Sequence, residues 1–373
     1  MKRLMTSAAL AAVVATGAAA PTAAQDLIYG SWVPATDWLN AGALPETFRR
    51  IAEETGDSVT WDLVPGGQLA GGVETFAAVR DGLMDAGVAV PTYVPDLTPA
   101  MSMLYSTAVP GSDPIAAAGA SIETLLLNCP ACLAEAREQN AVPLGGYAGA
   151  PFYLMCTSPV RTVADIAGKR VRASGASLNI LNQAGASVIS ASLTEAVTLL
   201  QRGGLDCVAG VSGWLRTFSY GEFARHVTDF PLGVSSPVIG FWINRDVWQG
   251  MTEEQQIAHL RGAAFLSASQ TIDLFVIQNA ENVAEAVERF GVEFHAVGED
   301  FDALMAAFQA DERTLQIEKA EEFGVTGAAE IFDAYAGLLP KWRELSEEIG
   351  DDVEKFAEIL WREVYSQVNP GAF

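Results

Sequence analysis

Four cysteines, three histidines and one arginine carry most of the chemistry that residue type and spacing suggest in this 373-residue chain. Cys129 and Cys132 form a Cys-Pro-Ala-Cys, while Cys156 and Cys207 stand apart. A C-x-x-C can be a redox centre with a lowered thiol pKa. Thioredoxin-like chains place that motif after an early strand, whereas here it follows a helical stretch, Ile115 to Leu127. In an oxidising compartment four cysteines give two disulfides, with three possible connectivities. The preferred pairing is structural, Cys129 with Cys132 and Cys156 with Cys207, the second joining segments that read as neighbouring strands. His226, His259 and His295 lie far apart in sequence and show no metal motif, and a lone His226 is expected to be structural. No Gly-x-Ser-x-Gly elbow, His-Glu-x-x-His or distinctive carboxylate pair is present. A secreted enzyme is therefore the weaker class, and a binding protein the stronger.

Arg172 ends a short strand and enters the Ser174-Gly175 turn, a mouth position in a doubly wound sheet. A planar guanidinium there offers paired donors that match a carboxylate. On the residues alone, a surface arginine in an ion pair fits at least as well.

The elements that position these residues follow from patterning. Half the residues are apolar and only 18% are charged, so a large core is available and disorder is excluded. The balance of 22 basic to 46 acidic residues, net −24, repels nucleic acid and anionic lipid. Lys2 and Arg3, the run Ala8 to Ala20 and the small residues before Gln25 have the form of a signal peptide, residues 1–24, cleaved after Ala24.

From Leu27 the chain reads as strand, helix, strand, helix, strand: Leu27 to Val33, Pro45 to Thr55, Val59 to Val64, Val73 to Arg80 and Asp85 to Val90. A second unit opens near Pro151, with strands Phe152 to Thr157, Lys169 to Ala173 and Leu205 to Gly210. Its helices are Ser177 to Ala184 and Thr194 to Arg202, the latter opened by a Ser192…Glu195 capping box. Pro237 to Asn244 is a long apolar strand, and Thr252…Gln255 opens an almost wholly helical tail. The expected architecture is α/β, with two units joined by strands and long C-terminal helices. Their spans are 25–150, completed from 240–290, and 151–239, completed from the tail, with a helical region 252–373.

Several segments resemble the DctP-type solute receptors of TRAP transporters. Val64-Pro65-Gly66-Gly67-Gln68-Leu69 is similar to their P-x-G-Q-L-G turn. Val79-Arg80-Asp81-Gly82-Leu83-Met84-Asp85 is similar to their helix-to-strand step. Ala164 to Arg172 resembles D-L-x-G-x-K-h-R, and Glu195 to Asp206 follows their E-x-x-x-A-L-Q-x-G-x-V-D pattern. The resemblance spans Leu27 to Gln256 and implies the two-domain periplasmic-binding-protein fold, closing by a hinge on a small organic acid. It further implies a periplasmic, monomeric receptor without a cofactor that serves a membrane permease. A sensory role without a permease is the alternative.

The resemblance makes Arg172 the anchor of a ligand carboxylate. Two departures bear on the ligand. Gly149 is followed by Ala150 and Pro151, so a second arginine common in relatives is missing. Leu205 to Val211, with Gly210, lacks the usual Gln, Glu and Asn. Aromatic residues stand at the expected mouth: Trp32, Tyr93, Phe152, Tyr153, Trp214 and, in the long apolar strand, Phe241 and Trp242, with core packing the preferred reading for Phe152 and Phe241. The implied ligand is a monocarboxylate with an apolar or aromatic body. Asp206 matches a structural aspartate of the family. The alternative is an amine in an aromatic cage of Trp32, Trp214 and Asp206.

Overall fold

A computed structural model describes residues 25–109 and 112–373. The expected signal peptide, 1–24, lies outside the described residues. Among the described residues, eleven strands form two sheets. They are β1 (Gln25–Gly30), β2 (Val59–Val64), β3 (Ala86–Ala89), β4 (Ala141–Tyr147), β5 (Phe152–Cys156), β6 (Arg170–Arg172), β7 (Ser187–Ile189), β8 (Cys207–Val211), β9 (His226–Thr228), β10 (Val238–Asn244) and β11 (Glu293–His295).

The first sheet has the order β2-β1-β3-β10-β4. β1, β2 and β3 are parallel, as the alternation of strands and helices requires, and β10 enters antiparallel between β3 and β4. The helix Leu44–Thr55 carries Pro45 in its first turn and stops at Gly56, whose φ of 59° is left-handed. The second sheet has the order β11-β9-β5-β8-β6-β7. Both capping boxes form: Ser192 with Glu195 opens Leu193–Gln201, and Thr252 with Gln255 opens Glu253–Ser269.

Four strands escape sequence patterning for identifiable reasons. β4 contains Pro143, Gly145 and Gly146, which weaken a strand signal but are tolerated here because β4 lies at a sheet edge. β7, β9 and β11 have three residues each, too few to show a period.

Three connections join the sheets: β4 to β5, β9 to β10, and a helix that runs unbroken from Glu253 to Phe290. The start of that helix packs on Leu44–Thr55 and β4 beside the first sheet. Its end packs on Trp214–Thr217 beside the second. This is the two-domain architecture expected from the sequence. Both preferred disulfides are present, Cys129–Cys132 and Cys156–Cys207. Cys156 lies directly opposite Cys207 in the antiparallel pairing of β5 with β8.

Candidate functional site

The mouth ends of strands from both sheets converge on one cavity. Trp32 and Val33 follow β1, Val90 and Tyr93 follow β3, Phe152 opens β5, Arg172 ends β6, and Trp214 and Phe218 follow β8. The connections between the sheets add Tyr147, Gly149, Ser235 and Val238, and the long helix adds Gln270, Leu274 and Phe275. The cavity holds about 600 Å³ of atom-free space, part of it open to solvent.

Arg172 is 1% exposed. Its Nε donates to the Ala191 carbonyl at 2.8 Å and its Nη1 to the Ala209 carbonyl at 3.4 Å. It forms no ion pair among the described residues, and it is the one Lys or Arg among the described residues lining the cavity. A guanidinium has five N–H donors, so these two carbonyls leave donors over. A buried charge without a counter-ion costs several kcal/mol, and an incoming carboxylate relieves that cost.

The backbone that presents Arg172 turns sharply after β6. Gly175 has φ 60° and ψ −145°, and a Cβ there would lie 2.6 Å from Ser235 Oγ and 3.0 Å from the Tyr105 ring. Glycine is needed on both counts. Burial pushes the Tyr93 phenol up, and the neighbouring Arg172 guanidinium offsets part of that rise. Burial likewise raises Tyr105, and Arg172 and Ser174 act against it.

The remaining walls are aromatic. Trp32 donates its indole N–H to the Val88 carbonyl at 3.0 Å and leans on Tyr93, with ring centroids 5.8 Å apart. Trp214 packs edge-on against Phe152 at 5.6 Å and Phe218 at 6.1 Å. Gly210 does not line the cavity. It makes room for Trp214, because a Cβ there would lie 2.2 Å from the indole.

Three more expected residues are placed elsewhere. Trp242 is fully buried in the first sheet and packs on Phe76 at 5.2 Å. Tyr153 follows Phe152 on β5, and strand alternation sends it to the opposite face. Asp206 precedes β8, at the end of the sheet away from the cavity, where Arg170 holds it through Nη2 at 2.7 Å and Nε at 3.0 Å. The Arg170 contacts hold its carboxyl at about 2. A cage of Trp32, Trp214 and Asp206 is therefore not assembled. Phe241 joins the core, its ring tilted against those of Tyr29, Phe48 and Trp61.

Sequence inspection missed Asp37 and Gln270. Asp37 is 5% exposed and its Oδ1 accepts from the Leu39 amide at 3.0 Å. Burial raises its carboxyl to about 6, with the Leu39 amide and the Gln270 side chain pulling the other way. Gln270 Oε1 is buried without a hydrogen-bond partner. The cavity therefore holds a cationic donor on the second sheet and hydrogen-bond acceptors from the first-sheet side and the helix. One signal was available: Asp37 is the only charged residue between Asp26 and Glu46, in a mostly apolar stretch. The helix is π-wound over Gln270–Gln278, a departure frequent at functional sites that sequence periodicity does not reveal.

Residues 30–319 match the family described as bacterial extracellular solute-binding protein, family 7, DctP. The chain belongs to this family. Solved DctP-type structures share its fold over most of their length. A TRAP periplasmic solute-binding protein from Bordetella bronchiseptica, with bound (R)- and (S)-mandelate, is 25% identical with a TM-score of 0.71, covering 86% of this chain and 99% of its own. One from Rhodoferax ferrireducens, in complex with copurified benzoate, is 15% identical with a TM-score of 0.74 and the same coverage of both chains. An extracytoplasmic solute receptor from Bordetella pertussis that binds pyroglutamic acid is 16% identical, TM-score 0.71, covering 84% of this chain and 100% of its own.

Proposed function

We propose that this DctP-family protein is a periplasmic receptor of a TRAP transporter. It holds a small monocarboxylate with an apolar or aromatic body between its two domains and hands it to a membrane permease. The observation that carries this reading is Arg172, a buried guanidinium without a counter-ion among the described residues, set in a cavity walled by Trp32, Tyr93, Phe152 and Trp214. The carboxylate accepts from Arg172, and the ring or alkyl body lies against the aromatic walls. Asp37 and Gln270 favour a ligand whose far end carries a hydroxyl, amide N–H or similar donor. The mandelate and benzoate bound by relatives have the same general chemistry.

Delivery works by closure. Cavity residues come from both sheets and from the segments joining them, so a ligand that touches all of them binds the closed arrangement more tightly and shifts the population towards it. The chain carries out no turnover in this role. The test is a thermal-shift and calorimetric screen of organic acids on the wild type, Arg172→Ala and Arg172→Lys. A monocarboxylate should give the largest shift, and both variants should lose it, because a lysine point charge does not reproduce the fork. A neutral sugar or an amine binding unchanged in Arg172→Ala overturns the assignment.

A further inference from the structure

We propose that His226, Glu293 and His295 form a divalent-metal site on the outer edge of the second sheet, separate from the ligand cavity. The three residues are distant in sequence, and folding brings them together. β9 and β11 pair in parallel, with Glu293 opposite His226 and His295 opposite Thr228. His226 Nδ1 lies 2.9 Å from His295 Nε2, and each of these nitrogens lies 3.8 Å from Glu293 Oε2.

The triangle has the right size for a metal. With sides of 2.9, 3.8 and 3.8 Å, the point equidistant from its corners lies about 2.1 Å from each donor atom. Zinc bonds to imidazole nitrogen and carboxylate oxygen measure about 2.0–2.2 Å. Two imidazoles with one carboxylate suit zinc, nickel or copper and not calcium or magnesium, which take oxygen donors. Glu293 is exposed, with a side-chain accessibility of 66%, so a fourth position is open to water.

One contact opposes the metal and makes the proposal specific. Arg161 Nη2 lies 3.2 Å from His295 Nδ1. A guanidinium only donates, so Nδ1 accepts, and neutral His295 then carries its proton on Nε2 and donates it to His226 Nδ1. A metal must take the place of that shared proton. Its release to solvent, or its transfer to Nδ1 with withdrawal of Arg161, frees the Nε2 lone pair. Arg161 is exposed and able to swing away.

The site also has a structural consequence. β9 leads into the connection to β10, and β11 follows the long helix between the sheets. A metal here fastens two of the connecting segments to each other at the second sheet.

The experiment is titration of the mature protein with Zn²⁺ against a chromophoric indicator, with melting temperature followed in parallel. One equivalent should bind and raise the melting temperature. His226→Ala and Glu293→Ala, both at accessible positions, should each weaken binding tenfold or more, and Glu347→Ala, a remote acidic position, should not. Arg161→Gln, which removes the donor-only guanidinium facing Nδ1 and offers an amide oxygen able to accept from Nδ1–H, should strengthen it. Absence of stoichiometric binding, or binding indifferent to His226→Ala and Glu293→Ala, overturns the proposal, as does loss of affinity in Arg161→Gln.

Discussion

The two ends of β6 and β8 use the same kinds of residue for opposite purposes. At the far end, Arg170 closes on Asp206 through two nitrogens, and Cys156 is bonded to Cys207 where β5 meets β8. At the cavity end, two residues further along β6, Arg172 is buried against the Ala191 and Ala209 carbonyls and the Tyr93 phenol, with no carboxylate partner among the described residues. The far end is complete within the chain, and the cavity end is not. The difference shows that residue type does not distinguish a structural arginine from a binding one. What does is whether the fold supplies the counter-ion. Stability is thus concentrated at one end of the sheet, and the unsatisfied charge is kept at the end where the domains meet.

Removing the covalent fastening should have the largest effect. Cys156 and Cys207 are 51 residues apart, and closing a loop of that length is worth about 4 kcal/mol in the chain-entropy account. Cys129 and Cys132 are three apart, for which the same account gives about 1.5 kcal/mol. Denaturant unfolding of Cys156→Ser/Cys207→Ser should therefore show the greater loss, and Cys129→Ser/Cys132→Ser the smaller. Equal losses would mean that the second sheet does not depend on its far-end bond.

The cavity end should respond in affinity instead of stability. A hydrogen bond to a charged group is worth about 1.5–3 kcal/mol, so Arg172→Ala should weaken carboxylate binding about tenfold to a hundredfold or more. Removing an unpaired buried charge should meanwhile leave the ligand-free protein no less stable, which Arg172→Met tests at nearly constant volume. A large drop in its melting temperature without ligand would show that Arg172 is structural after all.

Much of this contrast was legible in the residues. Arg172 could be placed at a strand end because Lys169 to Ala173 is followed by the Ser174-Gly175 turn. The Cys156–Cys207 bridge followed from reading both segments as adjacent strands. The side a residue faces was less accessible. Tyr153 and Trp242 stand beside Phe152 and Phe241 in sequence, and face is set by register, which depends on distant partners. Asp37 showed only as a lone charge, and Gln270 and the triad of His226, Glu293 and His295 were invisible for a related reason. Each belongs to a group assembled from separate segments, with no local spacing to mark it.

Asp37 sharpens the comparison from the other side of the cavity. Its folded pKa of about 6 lies above the usual carboxylate value, so its favourable contribution is fully present below about pH 4 and is lost as pH rises through 6. Asp37→Asn should keep the acceptor for the Leu39 amide and remove the buried charge. It should stabilise the ligand-free protein at pH 7–8 by on the order of 2–3 kcal/mol, with no gain near pH 4. Denaturant midpoints across that range measure it, and a gain independent of pH would show that ionisation of Asp37 is not the cause.

The smallest effect belongs to the ion pair at the far end. Arg170 holds Asp206 at about 2, below its ordinary value, so the pair stabilises the fold above about pH 4 and ceases to do so as pH falls towards 2. Both side chains are partly exposed, at 48% and 31%, and water and salt screen the attraction. Asp206→Asn should thus shift the acid-unfolding midpoint only slightly, and less at high salt, because the amide still accepts from the Arg170 backbone N–H that Asp206 now engages at 2.8 Å. Calorimetric affinity for a carboxylate ligand should be the same as in the wild type. If Asp206→Asn weakened binding as Arg172→Ala is expected to, the closed pair would be positioning β6 for the cavity. The two ends would then act as one unit, and their separation into a fastened end and a binding end would fail.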